Sequence, residues 1–293
     1  MEKTQRIYYT ISMKLYDDVR LKALFQLLKT EADAYGPVIK REIAAALKAD
    51  PQQVQAVLEA EFQQNTPLSV VQTMEEICWD DLAPALAHFS AKINPNLEEG
   101  LLLLSKFIET ATVPEDITHR LDEWARTLRA PLLNAKNHGE IATLLSSYFF
   151  HTLQIQTLSI NRDIKELSFA RMLRKKRGSN LCVACLYAVL GQRFGLDISL
   201  IDLAGRILVR LQGNSPQEDY FIDPLDQGKL LTETDCRQYI DARCLQWSGE
   251  FLAPLSSRQV VRRLLANMIF TLNKIHDERR LKYVRNYLEI IKN

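Results

Sequence analysis

The chain has 293 residues, 47% hydrophobic and 25% charged, with 37 Lys and Arg set against 36 Asp and Glu. That length allows one large domain or two modest ones around a real core, and the composition is that of an ordinary globular protein. A net charge of +1 disfavours nucleic-acid binding, whose electrostatic part grows with the number of phosphates neutralised.

The first residues, MEKTQRIYYTISMKLYDD, hold no apolar run of signal-peptide length, and 18 consecutive apolar residues occur nowhere. The expectation is a cytoplasmic protein without a membrane segment. Cys78, Cys182, Cys185, Cys236 and Cys244 are an odd set, so reduced thiols fit better than a disulfide framework. No cofactor and no metal is expected.

Zone one, residues 1–133, shows apolar residues at helical spacing between Pro and Gly stops. Helices are expected over 21–29 and 38–48, separated by Tyr35-Gly36-Pro37, then over 52–62, 68–79, 97–111 and 115–129. Asp50 caps the third, with Pro51 in its first turn. Short helices of this kind pack as HEAT-like hairpins, although the period is too irregular for a formal repeat.

Zone two, 134–250, opens with amphipathic helices at 140–153 and 164–177, the latter closed by Arg174-Lys175-Lys176-Arg177 and Gly178. Cations in a last helical turn complement the helix dipole, which accounts for this basic run without a nucleic-acid partner. Residues 181–195 are almost wholly apolar, as in a helix buried on most sides, and Gly195 suits its C-terminal cap. Beyond it, 197–204, 206–212 and 219–224 read as antiparallel strands. Zone three, 251–293, holds two more helices, the second capped by Asp277. Trp79, Trp124 and Trp247 sit in helical patterns and read as core. The fold class is α+β, mostly helical.

Several stretches resemble, in order, the bacterial branch of the transglutaminase-like superfamily. Its core helix follows a Gly-x-Pro-x-(Ser/Cys)-Leu stretch, here Gly178-Ser179-Asn180-Leu181-Cys182-Val183. Its next strand reads Pro-Gly-His-Phe-Leu-x-Arg, here Ala204-Gly205-Arg206-Ile207-Leu208-Val209-Arg210, and a later one is Phe221-Ile222-Asp223-Pro224-Leu225. Leu97-Glu98-Glu99-Gly100, Leu121-Asp122 and Val261-Arg262-Arg263-Leu264-Leu265-Ala266-Asn267 match the flanking helices, the last leading in relatives to a tetratricopeptide-like hairpin.

The resemblance implies a HEAT-like array over 1–133, a papain/transglutaminase-like core over 134–250 and a C-terminal hairpin over 251–293. It implies Cys182 as nucleophile and Asp223 as the orienting acid, with Arg206 where the histidine should stand. A cysteine nucleophile needs a base that takes and returns a proton, and a guanidinium with a pKa above ~12 cannot do that near neutrality. The expectation is therefore a protein without catalysis that binds a protein or peptide, with Arg206 as a ligand-binding residue suited to a carboxylate. The alternative is a cysteine hydrolase or acyl transferase using Cys182 with another base, such as His138 or His151.

Cys182 also reads as a small buried core residue, or as a thiol of lowered pKa beside Arg206. Cys182-x-x-Cys185 lacks a second pair at zinc-site spacing. Asp223 doubles as a turn cap before Pro224.

Overall fold

The computed structural model describes residues 16–63, 65–213 and 218–291. It is mostly helical with two small sheets, and it divides into two compact units, Met1–Asp81 and Leu82–Asn293.

In the first unit α1 (Asp18–Ala49) packs on α2 (Pro51–Phe62). Leu21, Phe25, Leu28, Ile39 and Ile43 of α1 share one core with Val54 and Val57 of α2 and with Val70 and Ile77 of α3 (Leu68–Ala91). Asp50 accepts a hydrogen bond from the Gln53 N–H at 2.9 Å and caps α2, as its sequence predicts. The break expected at Tyr35-Gly36-Pro37 does not occur, and α1 runs through Pro37. A proline inside a helix costs about 3 kcal/mol. Ile39, Ile43 and Ala46 on the far side bury in the same core as Leu21 and Phe25, and each large aliphatic contributes about 1.5–3 kcal/mol. Burial on both sides of the proline outweighs the lost hydrogen bond.

The second unit is organised around one helix. After α4 (Leu97–Ile108), α5 (Pro114–Leu133) and α6 (His138–Ser147), the chain makes a π turn and a short strand, β1 (Gln156–Leu158). The helix expected over 164–177 is interrupted. A 3₁₀ turn (Ile164–Leu167) ends at Ser168, whose hydroxyl accepts from the Arg171 N–H and starts α7 (Phe169–Lys175) afresh. Lys176 is left-handed at φ 54°, so α7 ends there and not at Gly178. Arg177–Ser179 then forms β2, parallel to β1 with Thr157 opposite Gly178. A side chain at Gly178 would run into Met172, with its Cβ only 2.8 Å from the Met172 Cβ. The glycine lets the strand lie against α7.

The central helix, α8 (Asn180–Arg193), is buried at every position from Leu181 to Gly191. It meets β3 (Ile198–Leu203) and β4 (Arg206–Leu211) of a four-stranded antiparallel sheet, and it also touches α4, α5 and α7. Three of these strands follow the sequence pattern, and Gly195 is left-handed at φ 67° as a cap requires. The β3–β4 hairpin turns through Ala204 and Gly205, both at positive φ, the form whose twist suits a two-residue hairpin. β5 (Tyr220–Asp223), a fourth strand, β6 (Lys229–Leu231), and α9 (Glu233–Asp241) complete the sheet and its cover.

The two faces of the sheet have different partners. Leu208, Ile201, Leu203 and Phe221 join Cys236 and Ile240 of α9. Ile198, on the alternate positions, meets Gly191 of α8. The unit closes with α10 (Ser257–Lys274) and α11 (Glu278–Ile290), packed on each other, with Asp277 accepting from the Arg280 N–H at 3.0 Å as expected.

α4 and α10 approach closely at Gly100, where an added Cβ would sit 2.6 Å from Val261 Cγ2 and 3.0 Å from the Phe89 ring. Gly100→Ala is expected to destabilise by about 1–2 kcal/mol, because overpacking exceeds the ~1 kcal/mol that alanine gains as a helix former. Urea denaturation measures it; an unchanged midpoint would contradict the close approach.

Candidate functional site

Of the residues singled out in the sequence, Cys182 lies in the first turn of α8, and Arg206 and Asp223 lie on the neighbouring strands β4 and β5. Ser179 caps that helix by accepting from the Cys182 N–H at 3.2 Å. One residue on, the Asn180 side-chain amide donates to the Ile207 carbonyl at 3.2 Å and ties the helix start to β4 beside Arg206.

Cys182 is fully buried. Its Sγ donates to the Leu167 carbonyl at 3.4 Å, so the thiol is aimed at the 3₁₀ turn before α7. A helix N-terminus ordinarily lowers a thiol pKa, yet burial pushes Cys182 up to about 12, with the Ser179 hydrogen bond opposing only in part. Cys185, one turn on, is raised well above its ordinary value by burial and by its neighbour Cys182. These thiols are held neutral.

Arg206 and Asp223 are brought together. Arg206 opens β4 directly after the hairpin turn, Asp223 ends β5, and Arg206 Nη2 pairs with Asp223 Oδ2. The carboxylate is 2% exposed and the arginine side chain 27%. The other Asp223 oxygen accepts from the Leu225 N–H at 2.9 Å, which is the turn-capping role read for it before Pro224. Burial disfavours the charge on Arg206, but hydrogen bonding to Asp223 and Tyr239 with the charge of Asp223 prevails, raising its pKa. The guanidinium carbon lies 5.4 Å from the centre of the Tyr239 ring. Arg206 Nε is buried without a hydrogen-bond partner.

Strand alternation explains the grouping. Arg206 shares its face of the sheet with Leu208, the face that α9 covers, and Asp223 shares it with Phe221. Cys182 has no hydrogen bond or ion pair with either residue; its partners are Leu167 and Ser179. Of the histidines, His119 lines a groove along α5, His138 borders a pocket at the start of α6 and His151 is exposed in the π turn. Among the described residues the Cys182 sulfur meets a backbone carbonyl and no imidazole.

Sequence reasoning did not find Tyr239, Asn180 or Leu167. A signal for Tyr239 was present, since Thr232 and Asp235 form a capping box that starts α9, with Cys236 and Ile240 on its buried face. Nothing in the local sequence marks Leu167, because its role is played by a backbone carbonyl.

Among the described residues no group of three or more His, Cys, Asp and Glu side chains is placed to hold a metal ion. None of the described helices is long and apolar enough to cross a membrane. No curated protein and no solved structure matches the chain. A family model of the transglutaminase-like superfamily matches residues 115–266, which span the buried helix that opens near Cys182 and the antiparallel strands after it and make up just over half the chain: the chain belongs to the transglutaminase-like superfamily.

Proposed function

We propose that this protein is a catalytically inactive transglutaminase-like protein that works by binding a protein or peptide. In this reading Arg206 stands in place of the histidine. A HEAT-like array over 1–133 precedes a papain-like core over 134–250, and a tetratricopeptide-like hairpin over 251–293 follows it. The helical pairs α1/α2 and α10/α11 support the flanking assignments, since each packs as neighbours in sequence.

One observation carries the reading: the Cys182 thiol is fully enclosed and hydrogen-bonded to the Leu167 carbonyl, while the acid that would orient a base is engaged by Arg206. Acyl transfer needs a thiolate, a proton shuttle within hydrogen-bond reach and room for a carbonyl. Cys182 meets none of these conditions.

The test compares the intact chain with Cys182→Ala and Arg206→His in two assays, hydrolysis of a small thioester and amine incorporation into a glutamine peptide. All three are expected to give the same background rate. A rate of the intact chain that Cys182→Ala removes overturns the reading in favour of a cysteine hydrolase or acyl transferase.

A further inference from the structure

The basic run at 174–177 is only partly explained by a helix dipole. Arg174 and Lys175 do end α7, but Lys176 lies beyond it in a left-handed turn and Arg177 belongs to β2. From 171 to 177 the chain carries five Lys and Arg and no carboxylate. Arg171 and Arg174 share one partner, Glu109, at 3.2 and 2.7 Å. The remaining cations are left in excess.

Lys176 turns back onto α5. Its Nζ lies 5.0 Å from the centre of the buried Trp124 ring, and its carbonyl accepts from the Gln156 N–H at 2.8 Å, which fixes the turn. One turn before Trp124, Arg120 donates to the Leu173 carbonyl at 3.3 Å, so both cations meet at the end of α7. Each is half-buried, and among the described residues neither forms an ion pair. Burial and the charge of Arg120 lower the pKa of Lys176. Two like charges held together in this way favour an anion between them. Arg120 also lines a groove of about 750 Å³ along α5, with the exposed Val113 and the carboxylates Asp116 and Glu123.

We infer that Arg120 and Lys176 bind the phosphate group of a small phosphate monoester, whose organic part lies in the groove along Val113. A tetrahedral dianion meets both cations at once, the guanidinium through paired hydrogen bonds and the ammonium as a point charge, where a carboxylate neutralises one. The Trp124 ring and the Leu173 carbonyl already hold the two side chains, so little of their freedom is lost on binding. Asp116 and Glu123 line the same groove and repel a continuous polyanion. Nucleic acid, whose affinity grows with each phosphate neutralised, is therefore the poorer fit. The site shares no residue with Cys182, Arg206 and Asp223, and it stands independently of whether they catalyse anything.

The experiment is isothermal titration calorimetry of the full chain with phenyl phosphate at physiological ionic strength, where diffuse attraction between exposed charges is screened. Saturable binding is expected, tighter than that of inorganic phosphate. Arg120→Gln and Lys176→Gln are each expected to weaken it about tenfold or more. Lys176→Arg is expected to retain it, and Lys282→Gln, an exposed charge on α11, to leave it unchanged. In the intact chain phenyl phosphate is expected to slow acetylation of Lys176 and not of Lys282, read by peptide mass spectrometry. That footprint needs no variant, so a misfolded Arg120→Gln does not blunt the test. Any of five results overturns the proposal: no saturable binding, inorganic phosphate bound as tightly, undiminished binding by Lys176→Gln, no protection of Lys176, or tighter binding of a thymidine oligonucleotide.

Discussion

Arg206→Ala is expected to lower the unfolding free energy by about 2–3 kcal/mol. Removing one member of a fully buried ion pair typically costs about 3–5 kcal/mol, because the remaining charge is left without a partner in a poor solvent for it. Asp223 is 2% exposed and would be that stranded charge, whereas Arg206 retains some access to water, which discounts the figure. The contact with Tyr239 adds about 0.5–1 kcal/mol. Urea denaturation followed by far-UV circular dichroism measures the loss. Asp223→Ala and the double variant complete a cycle, and the double variant is expected to be less destabilised than the sum of the two singles. A loss below about 1 kcal/mol for Arg206→Ala, or strict additivity, would mean that the pair contributes nothing as a pair.

The second large effect concerns the thiols. In the native protein Cys182 is expected to resist iodoacetamide at pH 8 while Cys244, which is exposed, reacts. With the Cys182 thiol pushed up to about 12 from an ordinary 9.0, its thiolate fraction at that pH is roughly a thousandfold lower than that of a free cysteine. Full burial also denies the reagent an approach, so modification proceeds through opening of the fold and its rate follows the population of open states. Peptide mass spectrometry after timed alkylation reads both sites at once. Equal rates at Cys182 and Cys244 at pH 7 would place the thiol in solvent and contradict the packing around Leu167.

The same burial fixes a pH dependence of stability. The folded chain holds Cys182 and Cys236 as neutral thiols up to about pH 12, whereas the unfolded chain releases those protons from about pH 9. Over that window the unfolded state binds fewer protons, so stability falls as pH rises, by up to about 1.4 kcal/mol per pH unit for each thiol. Below pH 9 neither thiol makes stability depend on pH.

How much of this could be read from the sequence depends on the range of the interaction. Local signals held where one side chain meets a nearby amide, as at Asp50 and Asp277, or where a helix end demands positive φ, as at Gly195. They failed where distant packing prevailed. Pro37 reads as a stop and lies inside a helix, and Ser168 reads as helix interior and starts a new one. β1 and β2, three residues each, have no periodicity to detect and exist through their pairing.

The site follows the same division. The sequence locates Cys182 in the first turn of a buried helix and Arg206 and Asp223 on neighbouring strands. The partner of each side chain depends on strand register and on which carbonyl lies opposite, and neither is encoded in the spacing. The Arg206–Asp223 pair emerges once β4 and β5 are aligned. The bond from Cys182 to Leu167 requires the chain to return over fifteen residues through β2.

The tight turn at Ala204 and Gly205 has an evolutionary consequence. Arg206 is the first residue beyond it, opposite Leu203, so the turn alone decides which side of the sheet position 206 occupies. A point substitution changes the side chain but leaves it facing α9. Adding or removing one residue in the turn would slip the register and send the whole strand's side chains to the other side, exchanging Leu208 for Ile207 against α9. A lineage that exchanges the residue at 206 therefore still does not turn that position toward α8, because the step required is an insertion or deletion that the packed strand resists.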